Sequence, residues 1–261
     1  MRTGQRRADG AALLPLLAMS AGQWLSLQML LDSALPIGGF AHSYGLESLV
    51  QDGLIADGAD LRRYAEGMVR HSWAVSDLMV VKAVYAGGGS GSESDSESDG
   101  DWRELDWPYA FHIEKLVHLQ RIAPETRDGI EKTGRRLLRL APELFPRLDL
   151  RMLGQSVRSG ECSGTFPLVY AVICRGLDVS FEQASEGYLY TSVVTCVNAG
   201  LRLISMGQSE AQRMIASLLP VIRQARESVA AMNPEDAYGA MPMSELAMIR
   251  HETLYSRLFM S

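Results

Sequence analysis

The chain has 261 residues, 47% of them apolar and 21% charged, with a formal net charge of −6. That is enough apolar chain to bury one large core, and nothing in the charge balance gives the basic stripe that nucleic-acid binding requires. Five acids, Glu93, Asp95, Glu97, Asp99 and Asp101, fall in one short segment, so the remainder of the chain is close to neutral at about −1.

The N-terminal stretch "MRTGQRRADG" followed by "AALLPLLAMSAG" carries the basic residues, apolar run and small-residue end of a secretory leader. Asp9 ahead of the run, Pro15 inside it and the lack of a disulfide framework downstream count against export. Residues 1–22 are therefore read as a frayed leader or an extra helix, and the protein is expected to be cytoplasmic. Cys162, Cys174 and Cys196 are odd in number, widely spaced and in apolar or small-residue surroundings, which predicts reduced, buried thiols and not a zinc site. No other segment approaches the 18 or so apolar residues of a membrane span.

The segment "LLDSALPIGGFAHSYGLESLV", residues 30–50, breaks a helical pattern with a Pro-Ile-Gly-Gly turn and brings Pro36, Gly38, Gly39, Phe40, His42, Ser43, Tyr44 and Glu47 together. After it, Leu61, Tyr64, Ala65, Met68, Val75, Leu78, Met79 and Tyr85 recur at three- and four-residue steps, predicting a helix over about 61–86 with Asp57 or Asp60 as its N-cap. Residues 87–101, "GGGSGSESDSESDGD", offer no side chain to a core and read as a disordered acidic loop, with its serines followed by acids as candidate phosphorylation targets. Two helices fit the block from Trp107 through "EKTGRRLLRLAPELF". Ser180 with Gln183 makes a capping box for a long helix that stops by Gly207, and Ser209 with Gln212 repeats the device for another that ends before Asn233 and Pro234. The fold expected is all-α: a single bundle-like helical domain over 23–232.

Residues 233–261 read as a hinge and an interaction tail. "NPEDAYGAMPM" is a flexible break, and "SELAMIRHETLYSRLFMS" puts Leu254, Tyr255, Leu258 and Phe259 on one short apolar face flanked by Arg250, His251, Glu252, Ser256 and Arg257. Such a tail either packs back on its own core or folds when a partner covers it.

Ser43, His42 and Glu47 within six residues invite a hydrolase or metal-enzyme reading. On a helix, however, Ser43 and Glu47 face alike while His42 points about 100° away, and no G-x-S-x-G elbow follows a strand. The five histidines, His42, His71, His112, His118 and His251, form no H-E-x-x-H or other ligand spacing. There is no phosphate-cradling P-loop, so any nucleotide chemistry belongs to a partner.

Taken together, "DSALPIGGFAHSYGLE", "RRLLRL", "YLYT", "LISMGQSEAQR" and the terminal "HETLYSRLFMS" resemble the UreF family of urease accessory proteins, in order from about Trp24 to Ser261. Two features depart from the family pattern: "TFPLVYA" has Thr165 and Ala171 where many members have His and Gly, and the acidic loop looks like an insertion. The resemblance implies a non-enzymatic scaffold that dimerises, binds a UreD/UreH-like protein, recruits the GTPase UreG and supports nickel delivery to apo-urease. Nickel and GTP are then handled by the complex, with no cofactor held tightly by this chain. It also implies a UreG or urease face at residues 36–47, a UreD/UreH contact at Arg250–Phe259, and a dimer contact near Tyr188 and Tyr190. Whether such proteins also regulate GTP hydrolysis is argued for the family.

Overall fold

The structure, a computed structural model, describes residues 20–86 and 105–261. Most of the leader and all of the acidic loop, 87–101, lie outside the described residues. Within them the chain forms eleven α-helices and no strand, as the unbroken helical period predicts, and no helix is long and apolar enough to cross a membrane.

The centre is built from two helices buried on nearly every side. α4 (Asp77–Ala86) buries residues on all sides, from Asp77 and Leu78 to Val84, and α8 (Phe166–Gly176) buries an uninterrupted run from Pro167 to Cys174. A helix that is apolar all round belongs inside a sheath of other helices. Around them pack α5 (Trp107–Gln120), α6 (Pro124–Leu144) and α9 (Phe181–Leu203), with α10 (Gln208–Ser228) laid against α9. The approach of α6 to the start of α8 requires Gly134: a Cβ there would run into the backbone of Gly164 and Thr165. All three cysteines are buried free thiols, with Cys174 and Cys196 pushed up to about 12 by burial.

Several boundaries differ from expectation. The helix predicted over 61–86 is two helices, α3 (Gly58–Met68) and α4, separated by a π turn at Val69–Trp73 and the residues up to Ser76. Its cap is Asp57, whose side chain accepts from the amides of Ala59 and Asp60. The Ser180–Gln183 capping box forms and opens α9, which ends at Leu203. The Ser209–Gln212 box does not form, because Gly207 occupies the N-cap position and Ser209 lies inside the first turn of α10. Unforeseen at the other end, Ser20 and Gln23 make a capping box that opens α1 (Ala21–Leu31). The remaining helices are α2 (Leu46–Gln51), α7 (Arg151–Ser159) and α11 (Pro242–His251).

Candidate functional site: a clasp between the Gly-Gly turn and the C-terminal tail

The two motifs singled out in the sequence, some 200 residues apart, meet in space. The first is a turn made by local backbone chemistry. Gly38 and Gly45 have φ of 84° and 87°, a left-handed conformation that glycine adopts without a Cβ penalty. Tyr44, immediately before Gly45, is also left-handed, at 49°. Gly45 is needed twice over, since a Cβ would press on the backbone of Ser244 and Met248 in α11.

Into this turn the tail returns. The carbonyl oxygen of Ser261 accepts from the amides of Ser43 and Tyr44 and from the Ser43 hydroxyl, the last at 3.0 Å. The Ser261 hydroxyl lies 2.7 Å from His42 Nδ1, and the Met260 amide donates to the Ala41 carbonyl at 2.8 Å. Burial, reinforced by the nearby cations Arg136 and Lys132, pushes the His42 imidazole down to about 4, so it sits neutral in the turn.

Glu47 is the centre of the clasp. Only 2% exposed, its carboxylate accepts from the amide of Leu258 at 2.7 Å and of Phe259 at 3.1 Å, and lies 3.0 Å from His251 Nε2. His251, fully buried, presents Nδ1 to Glu125 at 2.8 Å. His251 thus spans two carboxyl groups, one from α2 and one from α6. The second Glu125 oxygen is 2.6 Å from Arg257. Outer ties complete the attachment: Arg250 grips Asp52 through two bonds of 2.6 and 3.0 Å, Gln51 donates to the Ser256 carbonyl, and Arg202 donates to the Phe40 carbonyl while stacking 4.4 Å above the Phe259 ring.

This geometry corrects the picture of the turn as an open display of polar side chains. His42, Ser43 and Glu47 are buried, as is Gly38, and Tyr44 is half-buried; Pro36 and Phe40 are the exposed members, with Phe40 70% exposed. Ser43 directs its hydroxyl at a tail carbonyl and Glu47 its carboxylate at tail amides, an arrangement that builds no nucleophile–base pair. Of the two fates open to the tail, the structure has it packed on its own helices. His251 and Phe259 are interior, Leu254 is half-buried, and Arg250, Glu252, Tyr255, Ser256, Arg257 and Leu258 are exposed, Tyr255 completely. Tyr188 is also interior, its hydroxyl donating to Asp77 at 2.9 Å, whereas Tyr190, two residues on, is 36% exposed. Sequence reasoning missed Asp52, Glu125, Arg202 and Ser261, for which no local pattern signals a role. No group of histidine, cysteine and carboxylate residues able to hold a metal ion occurs among the described residues.

The UreF family model matches residues 55–219, and relatives matched along their own whole length extend the match to more than nine-tenths of the chain. A urease accessory protein UreF from Paenarthrobacter aurescens (strain TC1) is 32% identical over 243 residues, covering 93% of this chain and all of the relative. The chain belongs to the UreF family. A UreF from Arthrobacter sp. (strain FB24) is 30% identical over 94% of the chain, and one from Actinobacillus pleuropneumoniae 29% identical over 92%, each matched along its whole length. The positions where this UreF chain departs from the family pattern are structural: Thr165 is buried at the N-cap of α8, its amide donating to the buried carboxylate of Glu114 at 2.6 Å, and Ala171 lies on the buried surface of the same helix.

Proposed function

We propose that this chain acts as a scaffold in urease maturation, bridging a UreD/UreH-like accessory protein and the GTPase UreG so that nickel reaches apo-urease. The observation that carries this reading is the union of the two motifs: the polar groups of His42, Ser43 and Glu47 are consumed internally by the clasp, and the apolar side chains left outward include Phe40, Tyr255 and Leu258, beside the exposed Arg250, Glu252 and Arg257. A catalytic centre leaves reactive polar atoms facing a substrate; an interface presents rigidly held aromatic and apolar anchors. In this reading the chain holds no cofactor tightly, nickel and GTP being handled by the complex, and it works in the cytoplasm without contact to nucleic acid or membrane. Any effect on GTP hydrolysis is exerted by contact with UreG at this surface. A homodimer forms through the outer side of α9 at Tyr190, beside α1, whose Trp24, Leu25 and Met29 are exposed.

The test is capture of purified UreD-like and UreG partners by size-exclusion chromatography, with urease activation measured in cells. Phe40→Ala and Tyr255→Ala are expected to leave the free protein's melting temperature unchanged while weakening complex formation by about 2 kcal/mol, roughly 30-fold. Complexes and urease activation at wild-type levels in both variants would remove this surface from the partner contact.

A further inference from the structure

Behind the clasp, between α3, the π turn, α5, α6, α9 and α11, lies a partly open cavity of about 750 Å³, within the range of small-molecule sites. The formally charged side chains lining it are Asp32, Asp77, Glu245 and Arg121, a net balance of two negative charges. Arg121 is already paired with Asp77, whose other oxygen accepts from Tyr188. Glu245 feels Arg121 only from beyond contact distance and is bonded by the Ile122 amide, but its Oε2 is buried without a hydrogen-bond partner, as are the hydroxyls of Thr126 and Thr191 on the same lining. Unpaired buried polar atoms are costly enough that native interiors satisfy nearly all of them, so three around one cavity call for an occupant.

The wall beside Glu245 is aromatic. Tyr44, Tyr64 and Trp73 line the cavity and pack around one small cluster, Met68, Ala123 and Met248. Glu245 stands three residues before Met248 on α11 and so shares its face, and the neighbouring Ser244 hydroxyl is 3.1 Å from that of Tyr64. A carboxylate with a spare oxygen, in a cavity also lined by aromatic rings, is complementary to a positively charged group, which the ring faces attract. An anion would meet two net negative charges, and a hydrocarbon would leave Glu245, Thr126 and Thr191 unpaired. Burial raises the Glu245 carboxyl, and a cation beside it would draw that value back down.

We propose that this cavity is a binding site for a small organic cation, a protonated amine or guanidinium, held by Glu245 against Tyr64 and Trp73. The proposal stands apart from the scaffold reading and does not need it. The test uses the full chain and phenethylammonium as probe, with 2-phenylethanol and 3-phenylpropionate as neutral and anionic counterparts, followed by calorimetry and tryptophan fluorescence. Saturable binding of the ammonium with Kd of about 1 mM or tighter is expected, at least tenfold tighter than the alcohol, with none for the carboxylate. Glu245→Gln and, as an independent variant, Trp73→Leu are each expected to weaken it at least tenfold in protein whose circular dichroism is that of the wild type. Equal affinity for ammonium and alcohol would make this a plain apolar pocket, failure to bind the ammonium would make it a hydrated void, and undiminished binding in the folded variants would place the probe elsewhere; each overturns the proposal.

Discussion

Glu47 shows how a single side chain decides between two readings of the same motif. The residue pattern around it is compatible with catalysis, but a 2%-exposed carboxylate that accepts from two tail amides and faces a buried histidine has no capacity left for a substrate. Removing its charge leaves the amides of Leu258 and Phe259 and a nitrogen of His251 with a weaker acceptor or none. Breaking such a buried, hydrogen-bonded pair from one side is costly, and Glu47→Gln is expected to lower unfolding free energy by about 2–3 kcal/mol, read from urea melts, with the loss concentrated in amide protection of residues 251–261. His42 supplies a pH dependence. Its imidazole is held down to about 4 in the fold against an ordinary value of 6.5, so between these values the unfolded chain binds a proton that the folded chain does not, and stability rises with pH. The stabilisation is fully present above pH 6.5 and is lost as pH falls toward 4, on the order of 3 kcal/mol at most. His42→Asn is expected to flatten this part of the stability–pH curve; an unchanged slope between pH 6.5 and 4 would assign it to other groups.

At the scale of elements, caps were legible where the competing start signals agreed. Ser180 with Gln183 and the Asp57 cap are satisfied locally by their own backbone amides, so the sequence alone carries them. Ser209 and Gln212 fit the same pattern, yet α10 begins two residues earlier because its packing against α9 places Gly207 at the cap. The π turn at Val69–Trp73 escaped the periodic reading because apolar periodicity reports which residues face the core, and that is retained when one turn widens by a residue. The tail is the element whose fate mattered most. Its apolar face and its arginines are equally suited to a partner's pocket or to its own body, and Glu47, Glu125 and Asp52, contributed by distant segments, complete the second option. Truncation after Met243 removes the buried side chains of Ala247, Met248, His251 and Phe259 and uncovers the Glu47 carboxylate. The shortened chain is expected to remain helical but to melt lower by about 5 °C or more, equivalent to 2 kcal/mol or more for a chain of this size. A truncated chain that melts with the full-length protein would show that the clasp contributes nothing to the fold.

For the whole molecule, the question is which outer faces remain for assembly. Tyr188 is committed to Asp77 inside the chain, which leaves Tyr190 as the member of the pair able to reach a second copy. In the proposed dimer, Tyr190→Asp would place a charge in a desolvated contact at a cost of several kcal/mol, and light scattering is expected to show a dimer for the parent chain and a folded monomer for the variant; a dimer of undiminished strength in the variant would move the contact off this face of α9. The all-helical class, the single apolar core, the buried thiols and the family were fixed by the sequence itself, because period, composition and ordered motifs are properties of the chain read locally. The identity of the clasp was decided only by tertiary structure. Nothing in "PIGGFAHSYGLE" or "HETLYSRLFMS" specifies that Glu47 will meet Leu258, Phe259 and His251, or that His42 will be buried and neutral; those follow from α2, α6, α9 and α11 converging from distant parts of the chain. Burial and pairing are set by whatever the rest of the fold brings alongside, and that information is spread over the whole sequence and is absent from either motif alone.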